Sequence, residues 1–321
     1  MFKIGEIEIK NKLVLAPMAG ICDNAFRTIA KDFGVGLVCT EMVSEKAIYY
    51  KNERTLKMLY VSEEERPVSL QVFGSDVETF TSAIEYINEH SLCDIIDINM
   101  GCPVPKVATK SGSGAGLMKN PKLVREIVTA AVAISKKPIT VKIRTGWDDS
   151  SINCVEIAKI IEECGASAIA IHGRTRKQMY TGLADLDLIK QVKKSVKIPI
   201  IGNGDIIDIE SAKRMLATGV DAIMIGRGCL GNPFLFEEVL CFLENRNYTK
   251  PTPREKLTVA LEHLNRLIEL KGEKVAISEM RTHMHCYLKG LPNSSVVKSA
   301  VNKTKSKKDY ENLIFNYLQS I

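Results

Sequence analysis

Cys102 stands in Asn99-Met100-Gly101-Cys102-Pro103 and is followed by the glycine-rich run Lys110-Ser111-Gly112-Ser113-Gly114-Ala115-Gly116, which predicts a flexible loop. A thiol there can donate a proton, because its unperturbed pKa of about 8.5 keeps it protonated at neutral pH. As a thiolate it would instead be a nucleophile. Gln71 and Lys142 suit the polar edge of a flat heterocycle such as a flavin, the amide reading ring carbonyl and N–H, the cation stabilising anionic character. A salt bridge from Lys142 to Asp97 or Asp205 is the structural alternative. Gly202-Asn203-Gly204-Asp205 and Gly226-Arg227-Gly228 let backbone N–H groups approach a phosphate, with Arg227 adding charge, whichever molecule bears that phosphate. His172-Gly173-Arg174-Thr175-Arg176 sets an imidazole and two guanidinium groups close together, for phosphate, for substrate or as a satisfied core histidine. Arg144 and Lys106 could meet an anionic substrate backbone. The nine cysteines form no Cys-x-x-Cys pair, so neither a zinc nor a dithiol site is expected.

These residues need elements that bring them together. Short β-rich runs are read at Leu13 to Gly20, Val35 to Met42, Pro67 to Gly74, Ile95 to Pro103, Pro138 to Gly146, Ala168 to Thr175, Ile198 to Asp205 and Ala222 to Gly228. Helical patterns such as Asn120 to Ile134 and Ile209 to Thr218 lie between them. Eight strands alternating with helices predict a (β/α)8 TIM barrel, in which the strand carboxyl ends form one mouth. Nearly every candidate above sits at such an end. After Gly231-Asn232-Pro233 the alternation stops, and helices are expected at Arg254 to Leu270, Lys274 to Lys289, Val296 to Lys305 and Asp309 to Gln319. The expected organisation is a catalytic barrel over residues 1–244 and an all-helical C-terminal domain over 245–321.

Charge follows the same division. Residues 246–321 hold 14 Lys and Arg against 7 Asp and Glu, whereas the preceding residues hold 30 against 31. A neutral body with a basic appendage points to a polyanionic partner. The start, Met1 to Lys12, alternates apolar and charged residues, and no apolar run nears the ~20 residues that span a bilayer. Neither signal peptide nor membrane anchor is expected, scattered reduced cysteines suit the cytoplasm, and a monomer is expected.

Five motifs together, Leu15-Ala16-Pro17-Met18-Ala19-Gly20, Asp97-Ile98-Asn99-Met100-Gly101-Cys102-Pro103, Val141-Lys142-Ile143-Arg144, His172-Gly173-Arg174-Thr175-Arg176 and Gly202-Asn203-Gly204-Asp205, carry a family resemblance. Along essentially its whole length the chain resembles the tRNA-dihydrouridine synthases, particularly their bacterial B-type branch. The resemblance implies FMN as cofactor, NADPH (or NADH) as electron donor and tRNA as substrate. It implies that Ala16, Pro17, Met18, Gln71 and Lys142 hold the isoalloxazine, with His172 near it. Asn203, Gly204, Asp205, Gly226 and Arg227 would hold the ribityl phosphate. Hydride would pass from reduced flavin to C6 of uracil, and Cys102 would protonate C5. Asn99, Lys106, Arg144 and Arg174 are expected near the substrate. Arg281, His283, Tyr287 and Lys289, in Met280 to Gly290, are the expected RNA contacts of the tail. The sequence departs from the family at Cys286 and Leu186, where tryptophan is common.

A flavin enzyme acting on a free pyrimidine would use a similar barrel but would not need the basic tail. A catalytically silent RNA-binding protein would not need Cys102, Lys142 and Gln71.

Overall fold

The computed structural model describes residues 1–321. A hairpin of β1 (Phe2–Ile4) and β2 (Ile7–Ile9) precedes β3 (Leu13–Leu15), β4 (Leu37–Cys39), the two-residue β5 (Val43–Ser44), β6 (Val68–Phe73), β7 (Ile95–Met100), β8 (Ile139–Arg144), β9 (Ala168–His172), β10 (Ile200–Asn203) and β11 (Ala222–Ile225). From β3 onward every pairing is parallel, and β3–β11 and β4–β6 contacts close the ring. Eight strands thus make the expected barrel, with β5 a short extra pairing alongside β6. Their buried branched residues suit strands covered on both faces.

The hairpin was not expected. Each strand has only three residues, too few for a period of two to stand out. It buries Ile4 and Ile9 in one cluster with inward barrel residues such as Val14, Leu37, Ala168 and Met224. Around the barrel lie α1 (Asn24–Asp32), α2 (Glu45–Tyr49), α3 (Glu53–Lys57), α4 (Val77–His90), α5 (Pro121–Ile134), α6 (Cys154–Glu163), α7 (Leu186–Ser195), α8 (Ile209–Leu216) and α9 (Phe234–Leu243). Asn120 caps α5 by accepting from Leu123 N–H, with Pro121 in the first turn, where a missing N–H costs nothing.

The tail is α10 (Pro253–Lys271), α11 (Glu273–Tyr287), α12 (Ser294–Val301) and α13 (Lys307–Ser320). Capping boxes at Thr252–Glu255 and Ser306–Asp309 start α10 and α13, the second placing the start of α13 two residues earlier than expected. Its core gathers Leu257, Leu264, Met280, Met284 and Tyr310 with Ala25 of α1. The seat on α1 is also polar: Lys271 Nζ meets Asp23 at 2.6 Å, and Arg266 meets Asp32 at 2.6 Å. Phe26 packs against His263 and His283, ring centroids 5.6 and 5.7 Å apart. No helix is long and apolar enough to cross a membrane.

Gly231, before α9, packs against the end of α11. It has φ +62°, and a Cβ there would lie inside van der Waals contact of the Cys286 and Tyr287 backbone. Gly231→Ala should therefore destabilise the protein by about 3 kcal/mol or more, through left-handed strain and an overlap with backbone that cannot swing away. Thermal and urea unfolding check this; wild-type stability would show that the junction opens without cost.

Candidate active site

The parallel register does the first work. It sets Gln71 beside Asp97 and Asp97 beside Thr140, and two residues further along, Asn99 beside Lys142. Residues two apart on a strand share a face, so these side chains point into the same barrel. At the strand ends a cavity of about 680 Å³ opens. All eleven residues expected to hold the cofactor line it: Ala16, Pro17, Met18, Gln71, Lys142, His172, Asn203, Gly204, Asp205, Gly226 and Arg227. Cys102, Asn99 and Arg144 join them, with Lys289 reaching in from the tail.

A chain of hydrogen bonds crosses the cavity wall. Asp97 accepts from Thr140 Oγ1 at 2.6 Å and from Gln71 Nε2 at 2.7 Å. Gln71 Oε1 accepts from Asn99 Nδ2 at 2.7 Å. Asn99 Oδ1 then accepts from the N–H groups of Gly101 and Cys102, at 3.0 and 2.8 Å. With its carbonyl and one amide hydrogen engaged, Gln71 retains one N–H to offer a ligand. Asn99, expected as a substrate contact, lines the cavity and also holds the Cys102 loop.

That loop, expected to be flexible from its glycines, folds in part into short helical turns. Lys106–Lys110 form a π turn and Gly114–Lys119 a 3₁₀ helix, with Ala115 N–H donating to Cys102 O at 3.1 Å. Gly114, at φ +54°, lets this segment approach, since a Cβ there would stand 3.0 Å from Cys102 Cβ. Glycine at 114 permits this close packing.

Burial governs the charges. It pushes the Cys102 thiol above its ordinary pKa, against a smaller pull from the Val104 N–H, Arg144 and Lys142, so the thiol is protonated at neutral pH. It pulls Lys142 down to about 8, with Arg144 adding repulsion. Lys142 forms neither ion pair considered above; its Nζ donates to Asn203 Oδ1 at 3.1 Å. His172 is held neutral, first by burial and then by four surrounding cations. Arg174 Nη1 lies 3.3 Å from His172 Nε2; an arginine can only donate, which leaves the imidazole proton on Nδ1.

Two arginines expected at an anionic substrate are occupied as clamps. Arg144, 2% exposed, donates to the carbonyls of Gly101, Thr175 and Met179. Arg174, also 2% exposed, donates to Thr181 O, Gly182 O and Asp205 and does not line the cavity. Arg227 is the least committed: its side chain is 53% exposed, in a long ion pair with Asp205 at 3.9 Å and stacked 4.3 Å over Tyr180. The N–H groups of Gly204, Gly226 and Arg227 donate to no group of the chain, leaving donors for a phosphate.

The tail expectations need correction. Tyr287 is fully buried and His283 is 4% exposed, both packed around His263 behind Phe26, so neither presents a surface to RNA. Arg281 is half-buried and donates to Thr304 O at 3.0 Å. Lys289 and Lys106 are exposed. Sequence reasoning considered Asp97 only as a partner of Lys142 and missed its bonds to Gln71 and Thr140, although Asp97 lies two residues before Asn99 and so on its face. It also missed Tyr180, which lines the cavity from a loop with no periodic signal.

Comparison with known proteins agrees with this architecture. The model of the family described as "Dihydrouridine synthase" matches residues 14–321. The chain is 43% identical to tRNA-dihydrouridine synthase B of Shewanella oneidensis over 89% of each chain. It is 41% identical to tRNA-dihydrouridine synthase B of Pasteurella multocida, over 96% of this chain and 92% of that one. Among solved structures, an old yellow enzyme homologue from Zymomonas mobilis superposes with a TM-score of 0.55 at 15% identity, over 79% of this chain and 94% of that one. Morphinone reductase does so with a TM-score of 0.55 at 14% identity, over 79% and 91%. These two likenesses establish the fold.

Asn99→Ala removes the acceptor for two loop N–H groups and the donor to Gln71. It should cost about 1–3 kcal/mol and accelerate amide exchange at Gly101 and Cys102. Hydrogen-exchange mass spectrometry reads the second effect; unchanged protection of those amides would remove Asn99 from the positioning of the loop.

Proposed function

Because the chain belongs to the dihydrouridine synthase family, we propose that it binds FMN in the barrel mouth and uses NADPH or NADH to reduce particular uridines of tRNA to 5,6-dihydrouridine. In this reading residues 1–244 form the FMN-binding catalytic unit and 245–321 the tRNA-binding unit. The observation that carries it is the convergence of a protonated thiol, a buried lysine and an amide with one free N–H on a single cavity.

The residues fit the cofactor. The unengaged N–H groups of Gly204, Gly226 and Arg227, with the exposed Arg227 guanidinium, supply donors for its phosphate. Ala16, Pro17 and Met18 offer an apolar wall for its ring. Gln71 offers one hydrogen to a ring acceptor, and Lys142 keeps two unengaged hydrogens for anionic ring atoms. Once bound, FMN would supply the reducing equivalents delivered to C6 of the uracil.

Cys102 holds the proton for C5. Its burial favours the thiol over the thiolate, which suits a proton donor and disfavours a nucleophile. Asn99 and Ala115 fix its backbone from either side, and Arg144 ties the Gly101 carbonyl to the loop after β9. A stacked uridine would have to be extruded to reach the thiol. Lys289, which lines the cavity from the tail, would hold the RNA beside it.

Cys102→Ala should leave FMN bound and reducible while lowering dihydrouridine formation about 10²–10⁴-fold, the usual worth of a positioned acid. Full product yield by nucleoside mass spectrometry would place the proton donor elsewhere. A pH dependence follows from Lys142. Its folded pKa lies below the ordinary value, so in cofactor-free protein the cation is present below about 8 and lost above it. FMN affinity, followed by quenching of flavin fluorescence, should fall as pH rises through that point. Lys142→Met should bind FMN more weakly at neutral pH and lose the step; an identical step in the variant would assign it to another group.

A further inference from the structure

Five cations crowd one lip of the barrel mouth. Lys106 and Lys110 bound the π turn after Cys102, Lys119 ends the 3₁₀ helix, and Arg176 and Lys177 follow β9. Four are exposed and Arg176 is half-buried. None forms an ion pair.

Trp147 organises the group. Arg176 and Lys119, from different loops, lie over its ring at 4.5 and 4.6 Å from the centroid. Lys177 N–H donates to the Trp147 carbonyl at 2.9 Å. Arg176 donates to Thr109 Oγ1 at 3.0 Å, while its buried Nε–H has no acceptor. Of the carboxylates nearby, Asp148 accepts from Ser150 and Ser151 at 2.7 and 2.8 Å while its charge also acts on Lys177, and neither it nor Asp149 forms an ion pair. The protein thus holds like charges together, beside an aromatic support, and offsets them only in part. Such an arrangement costs free energy that a bound anion offsets.

Spread over three loops, these charges match a repeating polyanion better than a single small anion. The lip also runs into the cavity: the lining residues Val104 and Tyr180 lie two residues from Lys106 and three from Lys177. We propose that this lip binds the phosphate backbone of the RNA whose uridine enters the cavity, so that the RNA is held by the barrel as well as by the tail. The inference rests on tRNA being the substrate. Phosphate contacts of this kind fix register and orientation without reading sequence.

The test is binding of unmodified tRNA to the FMN-loaded, full-length protein at a series of salt concentrations. Lys110→Ala combined with Lys119→Ala, and separately Arg176→Gln, should weaken binding and make the slope of log affinity against log salt shallower by about 0.7–0.9 per lost contact, with the flavin absorbance unchanged. Arg176→Lys should keep the slope, because charge rather than ring packing makes the contact. A wild-type slope in the double lysine variant, whose side chains are both exposed, would overturn the proposal. Unchanged tRNA binding with lost retention of polyglutamate would overturn it in favour of an acidic protein partner. A wild-type protein that binds no tRNA would instead overturn the substrate reading beneath it.

Discussion

Asp97 is a carboxylate sunk into the barrel interior, and the geometry of the mouth follows from how it is satisfied. A buried carboxylate without partners costs several kcal/mol, so both its oxygens must be met. The register of β6, β7 and β8 meets them, with Gln71 on one side and Thr140 on the other. Because Gln71 must donate to Asp97, its carbonyl is turned to Asn99; because Asn99 must donate to Gln71, its own carbonyl faces the Cys102 loop. One buried charge thus orients the amide offered to a cofactor and the backbone that carries the proposed proton donor.

The same economy of partners separates the cations. Arg144 and Arg174 spend their donors on loop carbonyls and Asp205, which makes them braces and leaves Arg227 as the guanidinium with room for a ligand. In the tail, Arg266 and Lys271 are committed to the barrel through Asp32 and Asp23. The basic character of the tail therefore serves two ends, docking to α1 and presenting charge, and only the uncommitted cations such as Lys289 can do the second.

Much of this was legible in the sequence, for physical reasons. Eight strands with polar or glycine-rich ends imply one mouth, because a closed parallel barrel has only one carboxyl end. Every residue expected to hold the cofactor lies there. The tail helices were legible from Pro251 to Pro253 and from apolar periodicity. The rest depended on information a residue type does not carry. His283 and Tyr287 are polar aromatics that could face solvent or pack in a core; the seat of α11 against Phe26 decides for the core. Arg144 was read as an anion contact because the carbonyls it meets lie on loops whose paths only the fold defines. The run after Cys102 read as mobile because glycine allows both freedom and close approach, and here Gly114 serves approach.

The central claim is that the electrons stored in this cavity go to a base within tRNA. It is tested most directly by reducing the FMN-loaded protein with NADPH without oxygen, then mixing it with unmodified tRNA. The expected result is the return of oxidised flavin absorbance in step with dihydrouridine in the digested RNA. Flavin that stays reduced with tRNA but is reoxidised by a free pyrimidine would contradict it.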